Sequence, residues 1–380
     1  MNDGERGTSV TIEEFNAGFT EEPGYLDYGR IGPISVAALE ESLALSHTLQ
    51  RARHGSLDVF AEQDERVRRA AGALLRLPAD HVVFQPNTSQ GLMHALFGVT
   101  GEVLLSAGEF PSLPIAAVRA EEALHVARPR WLETDHGRVT PGAVREQLGD
   151  AVAVAVSLVD SRTGFVADLE GIRQVIGDRL LIVDAIQGVG VVDAAFEAAD
   201  VVAFGGQKWL RSGWGTGVLG LSDRALEALT PVFSGFTGTV DDEVWGEVPP
   251  PAPSARAFRV SNPDPIAEGR LAAGIEEVSA TGIGAIAAAV AERVSEVVDL
   301  ADEFAVPVVS SRDERERAGI VVLEPADDQT TALTASLHNH GVTASTRQGR
   351  VRLSIHSATS SETVEMLRGA FVSFSSAAVY

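Results

Sequence analysis

Between residues 180 and 213 two short apolar runs, 180–185 and 201–206, show no alternation of polar with apolar positions. Strands buried on both faces read this way, as they do in parallel sheets covered by helices. Similar runs stand at 81–84, 102–106 and 152–158. Between them apolar positions return at helical spacing, as at Val59, Val67, Ala71, Leu74 and Leu75 within 58–77. Residues 35–53 have the same character. Thr140-Pro141 opens a further helix with a cap residue and a proline in the first turn. This alternation predicts an α/β fold built on a mostly parallel sheet.

From residue 271 onward the pattern predicts a helix to about 300, strands near 306–310 and 319–324, and a helix near 328–340. Strands within 342–356 and a last helix complete a small second α/β unit. The proline-rich stretch 249–254, inside an irregular segment, marks the boundary. The expected division is an N-terminal arm over 1–30, a large domain over 31–255 and a small C-terminal domain over 256–380. Residues 1–24 are polar and without pattern, and a loose arm is expected there.

Composition narrows the function more than the fold. With 380 residues, 45% of them hydrophobic, the chain can bury a sizeable core. A net charge of −23 argues against nucleic acid or an anionic membrane as partner, since both call for basic surface. No uninterrupted apolar run reaches membrane-spanning length, and the acidic start MNDGERGTSV lacks a signal-peptide core, so cytoplasm is the expected location. Cysteine is absent, which removes disulfides, thiolate ligands and thiol nucleophiles. The nine histidines show no metal-ligand spacing, and no metal is expected. Gly188-Val189-Gly190 and Gly282-Ile283-Gly284 do not complete a dinucleotide fingerprint.

The candidate chemistry lies at two strand ends. Asp184 closes the first apolar run and Lys208 follows the second. Ligands of open α/β sheets bind in the crevice beyond the carboxyl ends of the strands. A lysine that holds an aldehyde and a carboxylate that keeps a pyridine nitrogen protonated are the two groups pyridoxal phosphate (PLP) requires. Taken alone, the pair is ordinary: strand-end acids commonly cap the next helix.

Several motifs in order raise it above that. Asp184-Ala185-Ile186-Gln187, Gly206-Gln207-Lys208-Trp209 and the glycine-rich Gly213-Trp214-Gly215-Thr216-Gly217 resemble the core signature of the class V aminotransferase group of fold-type I PLP enzymes. That group includes cysteine desulfurases, kynureninases, and phosphoserine and alanine–glyoxylate aminotransferases. The resemblance runs from about residue 25 to 370. It implies a mostly parallel sheet of the seven-stranded type, PLP as cofactor, and a homodimer with shared active sites.

By resemblance Lys208 holds PLP and moves a proton at the substrate, while Asp184 faces the ring nitrogen. Thr88 and Ser89 open a helix where the cofactor phosphate sits, with Asn87 in place of the usual glycine. Phe110, in Gly108-Glu109-Phe110-Pro111-Ser112, stacks on the ring. Asp160, where relatives carry asparagine, and Gln187 face the phenolic oxygen, and Gln207 flanks the lysine. An ionised Asp160 would repel a phenolate, so it is protonated, turned away, or raises the basicity of the lysine–cofactor bond. Asn262 stands where a relative's threonine reaches the neighbour's phosphate. Arg352 clamps the substrate α-carboxylate, a role that fits a planar guanidinium. Tyr28 or Arg30, beside the Gly32-Pro33 turn, touches substrate.

The implied reaction is on the α-amino group of an amino acid. Gln207 stands where desulfurases carry histidine, which favours an aminotransferase. The Gly108–Ser112 and Asp160 loops favour a lyase that breaks a Cβ–X bond, kynureninase-like or carbon–sulfur. A persulfide-forming desulfurase is not expected of a chain without cysteine. A non-catalytic PLP-fold subunit is one remaining alternative, and a nucleotide-binding α/β protein, against which the missing phosphate-loop patterns speak, is the other.

Overall fold

The computed structural model describes residues 10–241 and 245–377. Its main sheet has seven strands: β1 (Val82–Phe84), β2 (Gly101–Leu105), β3 (Ala127–Trp131), β4 (Ala153–Ser157), β5 (Leu180–Asp184), β6 (Val201–Gly205) and β7 (Gly217–Leu221). They lie in the order β1-β7-β6-β5-β4-β2-β3. The neighbours from β6 to β3 pair in parallel, whereas β7 runs antiparallel to both β6 and β1. Every residue of β4, β5, β6 and β7 is buried, which is why their sequences read as continuous apolar runs. The fold is the expected α/β architecture.

A second, antiparallel sheet joins β8 (Ile320–Leu323), β10 (Arg350–Ser354) and β9 (Ser345–Arg347) in that order. The hairpin between β9 and β10 turns on Gln348 and Gly349, both at positive φ (50° and 75°). Such a turn matches the natural twist of paired strands.

The N-terminal arm is not loose over its described part. Thr11 and Glu14 form a reciprocal cap that starts α1 (Ile12–Ala17). Phe15 is buried, with Phe19 and His356 against it at ring separations of 4.8 and 6.1 Å. Tyr25 and Asp27 then bridge to Thr343 and Ser354, extending the small sheet. Phe15 and Phe19, with Val10 and Ile12 packed beside them and Asn16 hydrogen-bonded to Ser357, anchor the segment; residues 1–9 lie outside the described residues.

Two further expectations are corrected. The helix expected over 271–300 is two, Pro265–Thr281 and Ile283–Glu303, bent by 84° at Gly282, whose φ of +88° no ordinary side chain favours. The strand near 306–310 shrinks to a single bridge, Val308 to Leu323.

The helix Pro265–Thr281 packs on α2 (Val36–Gln50) and α3 (Asp58–Leu75). Arg66 of α3 ties them, pairing with Glu41 at 2.8 Å and Glu276 at 2.7 Å. Gly269 allows the approach: a Cβ there would stand 2.6 Å from Leu45 Cδ1. Among the described residues no single helix is long and apolar enough to cross a membrane; the bent pair passes by length and composition only.

Candidate active site

Lys208 lies in the loop that leaves the carboxyl end of β6, and its side chain is buried. It is the only lysine in the chain; the other 29 Lys/Arg positions are all arginine. That count is the strongest signal the motif reading passed over. A surface lysine and a surface arginine are nearly interchangeable for solubility, but only the lysine amine can condense with an aldehyde.

The loop is fastened from below. Gly32 donates its N–H to the Gln207 carbonyl at 2.8 Å, and a Cβ on Gly32 would run into the Lys208 carbonyl oxygen. Trp209 donates its indole N–H to Gln187 Oε1 at 2.9 Å. Fully buried Arg211 donates to the Pro33 carbonyl at 2.7 Å, pairs with Glu21, and lies 3.9 Å from the centre of the Phe19 ring. Tyr28 belongs to this foundation. Its ring is 1% exposed, stacks 6.2 Å from Trp209, and its hydroxyl donates to Glu21 at 2.6 Å. The expectation that Tyr28 touches substrate is therefore corrected: its ring fills space under the loop. Arg30 is exposed.

Asp184 ends β5, the strand beside β6. Its Oδ1 accepts from the Ile186 N–H at 3.1 Å, and its buried Oδ2 has no partner. Burial pushes this carboxyl up to about 6, and burial also lowers the Lys208 amine to about 8, against the attraction of Asp184. The Lys208 amine lies over the Phe110 ring, 5.3 Å from its centroid. Beside it Glu109 is buried, accepts from the Ser157 N–H at 3.2 Å, and is raised to about 7 by desolvation.

An anion cradle closes one end. Asn87 caps α4 (Thr88–Gly98) by accepting from the Gln90 N–H at 2.9 Å. Thr88 Oγ1 is buried without a partner, and Ser89 shares a 2.7 Å hydrogen bond with Ser112. A Cβ on Gly205 would run into Gln207 Oε1 and lie 3.1 Å from Thr88 Oγ1, which puts Gln207 and Thr88 side by side. Free amides at a helix start with an open hydroxyl suit a phosphate.

Two expected residues are occupied otherwise. Asp160 Oδ1 accepts from the Arg162 N–H at 2.8 Å and Thr163 Oγ1 at 3.0 Å, and Oδ2 pairs with Arg162 at 3.2 Å. Both oxygens are thus engaged within the residue's own loop, the turned-away alternative. Gln187 donates to the Gly29 carbonyl at 2.9 Å while accepting from Trp209, so its amide ties the loop to the N-terminal segment.

Arg352 of β10 is mostly buried. Its contacts are all long: 3.4 Å to the Ser161 carbonyl, 3.4 Å to Ser345 and 3.5 Å to Asp27. Its Nε–H is buried and bonded to nothing. It lines a cavity of about 540 Å³ with Phe110, Glu109, Arg162, Arg347 and Arg350. Asn262 is exposed and lines a different cavity, of about 380 Å³, with Arg256 and Arg259. Among the described residues no cluster of His, Asp and Glu could hold a metal ion.

A family model described as "Aminotransferase class-V" matches residues 34–375. No curated protein matches the chain. Among solved structures, the apo cysteine desulfurase from Thermococcus onnurineus NA1 is 21% identical, covering 91% of this chain and 93% of that one at a TM-score of 0.82. A lysine-to-alanine mutant of C-DES, with glycine covalently linked to its PLP cofactor, is 19% identical over 92% of this chain and 96% of its own, at 0.83. The cysteine desulfurase CsdA from Escherichia coli is 16% identical over 95% and 97%, at 0.78.

Proposed function

The chain belongs to the aminotransferase class-V family, whose members are PLP-dependent enzymes, and from that premise we propose that it transfers the α-amino group of an amino acid. The observation that carries the reading is the sole lysine, buried on the loop after β6, next to a strand that ends in an aspartate with one unpartnered oxygen.

The residues fit the cofactor. Lys208 would hold its aldehyde, the unpartnered Asp184 Oδ2 would face its ring nitrogen, and Phe110 would lie against the ring. Thr88 Oγ1, Ser89 and the first amides of α4 would hold its phosphate, beside Gln207. When bound, PLP supplies an electron sink for the bond broken at the substrate Cα. Lys208 Nζ removes and returns the proton at Cα, and an amine lowered to about 8 is partly neutral near neutral pH, as a general base must be. Arg352 orients the substrate by its α-carboxylate, its bare Nε–H and loosely held guanidinium leaving room for a bidentate contact.

Aminotransfer needs no acid beyond this lysine. The absence of cysteine argues nothing for this choice. A second reading has one observation in its favour: Glu109, raised to about 7 and lining the substrate cavity, could protonate a group leaving Cβ. That lyase reading would match what the structurally similar C-DES is described as, a cystine C-S lyase. Incubation with amino acids, with and without a 2-oxo acid acceptor, separates the two. Amino transfer that requires the acceptor supports the proposal; ammonia and a 2-oxo acid formed without it would favour the lyase.

The working unit in this reading is a homodimer in which Asn262 reaches the partner's phosphate. Its support is the exposure of the large apolar side chains Trp214, Phe236, Trp245 and Val248, which a partner surface would cover.

A further inference from the structure

The cavity lined by Phe110, whose ring lies 5.3 Å from Lys208 Nζ, and by Arg352 is a positive island in a protein of net charge −23. Four arginines line it, and one acid, the buried Glu109. The hairpin sets their geometry. Arg350 lies directly opposite Arg347, and Arg352 directly opposite Ser345. Residues two apart on a strand share a face, and so do residues opposite each other on antiparallel strands. Ser345, Arg347, Arg350 and Arg352 therefore all project from the one face that lines the cavity.

Their charges are not equally spoken for. Arg162 pairs with Asp160, Arg350 with Glu324 at 2.6 Å, and Arg352 with Asp27 at 3.5 Å. The Arg347 side chain makes no hydrogen bond or ion pair with any described residue. It nevertheless stands opposite another arginine, at the about 4.5–5.5 Å Cβ separation of such pairs, where like charges destabilise the sheet. In an acidic chain with 53 carboxylates available, an unpaired arginine beside a like charge in the substrate cavity is a vacancy for an anion from outside. Its field reaches the site, since its charge lowers both Arg352 and Lys208.

We propose that Arg347 is a second anion contact of the substrate cavity, and that the amino acid this site takes carries a further carboxylate on its side chain. The inference rests on the proposed function in one respect: Arg352 takes the α-carboxylate, leaving Arg347 for the distal one. An uncharged amide at that end would leave the guanidinium unpaired, whereas a carboxylate matches its planar fork.

The test compares isosteric pairs on the PLP-loaded protein. Aspartate against asparagine, and glutamate against glutamine, are titrated while following the visible band of the lysine-bound cofactor. At low salt at least one acid should bind about tenfold more tightly than its amide, a difference of about 1.4 kcal/mol. R347Q should bring that ratio close to one, and added salt should erode it in the parent protein. R350Q, whose arginine already has Glu324, should shift the ratio less. A calorimetric titration with glutarate and with butyrate repeats the comparison without the amine. Glutarate should bind more tightly than butyrate to the parent and lose that advantage in R347Q. Arg347 is exposed and unpaired, so the variant should fold as the parent does, which its melting temperature checks. An acid-to-amide ratio near one in the parent, or a ratio untouched by R347Q, overturns the proposal. If no amino acid perturbs the cofactor band, the proposed function is what fails, and the glutarate comparison still decides Arg347.

Discussion

Replacing Asp184 by asparagine separates the burden this carboxylate places on folding from its service to the cofactor. The side chain is 2% exposed, one oxygen has no partner, and burial moves its pKa from 3.8 to about 6. A folded-state pKa above the unfolded one means that the protonated form is favoured by folding. The associated stability is fully present below pH 3.8 and is lost as pH rises to about 6. A shift of this size amounts to about 3 kcal/mol at roughly 1.4 kcal/mol per unit, of which about 1 kcal/mol falls between pH 5 and 7. Asparagine carries no charge to desolvate, but its new N–H groups would lie where Oδ2 lacks a partner, at a penalty of about 1–3 kcal/mol. The net effect at pH 7 is thus small. The informative quantity is how the stability difference between parent and Asp184→Asn changes with pH. Denaturant unfolding of both apoproteins from pH 5 to 7.5 should show the variant gaining on the parent by about 1 kcal/mol as pH rises, levelling above pH 6–7. Glu268 adds a slope of the same sign to both proteins and cancels in the difference, and Glu109, raised chiefly by desolvation and only in smaller part by Asp184, keeps most of its slope in both. With PLP bound, the variant should slow exchange of the substrate Cα–H by about a thousandfold, equivalent to about 4 kcal/mol. A pH-independent difference would refute the desolvation argument, and near-normal exchange would refute the role at the ring nitrogen.

Three further outcomes are expected. Arg352→Lys should weaken amino-acid binding less than Arg352→Ala, by part of the roughly 2–5 kcal/mol that loss of a buried charged contact costs, while the cofactor band stays; affinities equal across all three proteins would remove Arg352 from the clamp. Phe15→Ala should lower unfolding stability by about 3 kcal/mol or more, because the ring anchors α1 against Phe19 and His356; a change under 1 kcal/mol would return the arm to a loose segment. Gly32→Ala should lower the melting temperature and impair PLP loading, since its methyl group displaces the backbone carbonyl of Lys208; stability and PLP affinity equal to the parent's would mean the loop tolerates the shift.

The main sheet was legible because its strands are buried on both faces, so that five or so consecutive apolar residues announce each one. Asp184 and Lys208 were legible as residues at strand ends, and the structure sets them at the carboxyl ends of the neighbouring strands β5 and β6. Less visible were features that depend on what lies across the fold. Tyr28 and Gln187 carry polar groups that local reading sends toward a ligand, yet Trp209 and Glu21, distant in sequence, absorb them. Asp160 is satisfied by Arg162 and Thr163 only because its loop curls back. The α1 anchor rests on a few apolar side chains, Val10, Ile12, Phe15 and Phe19, scattered in a polar stretch too short for a periodicity. Gly282 breaks a helix whose apolar pattern runs on without interruption, since a positive φ leaves no mark on hydrophobicity. Arg347 becomes conspicuous only when the β9–β10 register sets it opposite Arg350.

The central claim is that Lys208 is the covalent seat of PLP, and the composition of this chain makes its test unusually clean. Borohydride reduction of the PLP-loaded protein, digestion and mass spectrometry should find the pyridoxyl mass on the peptide containing Lys208 in near-unit stoichiometry. Lys208→Ala, which leaves the protein without any lysine, should carry none. A pyridoxyl label confined to the N-terminal amine, or a parent protein that takes up no reducible PLP at all, would contradict the account.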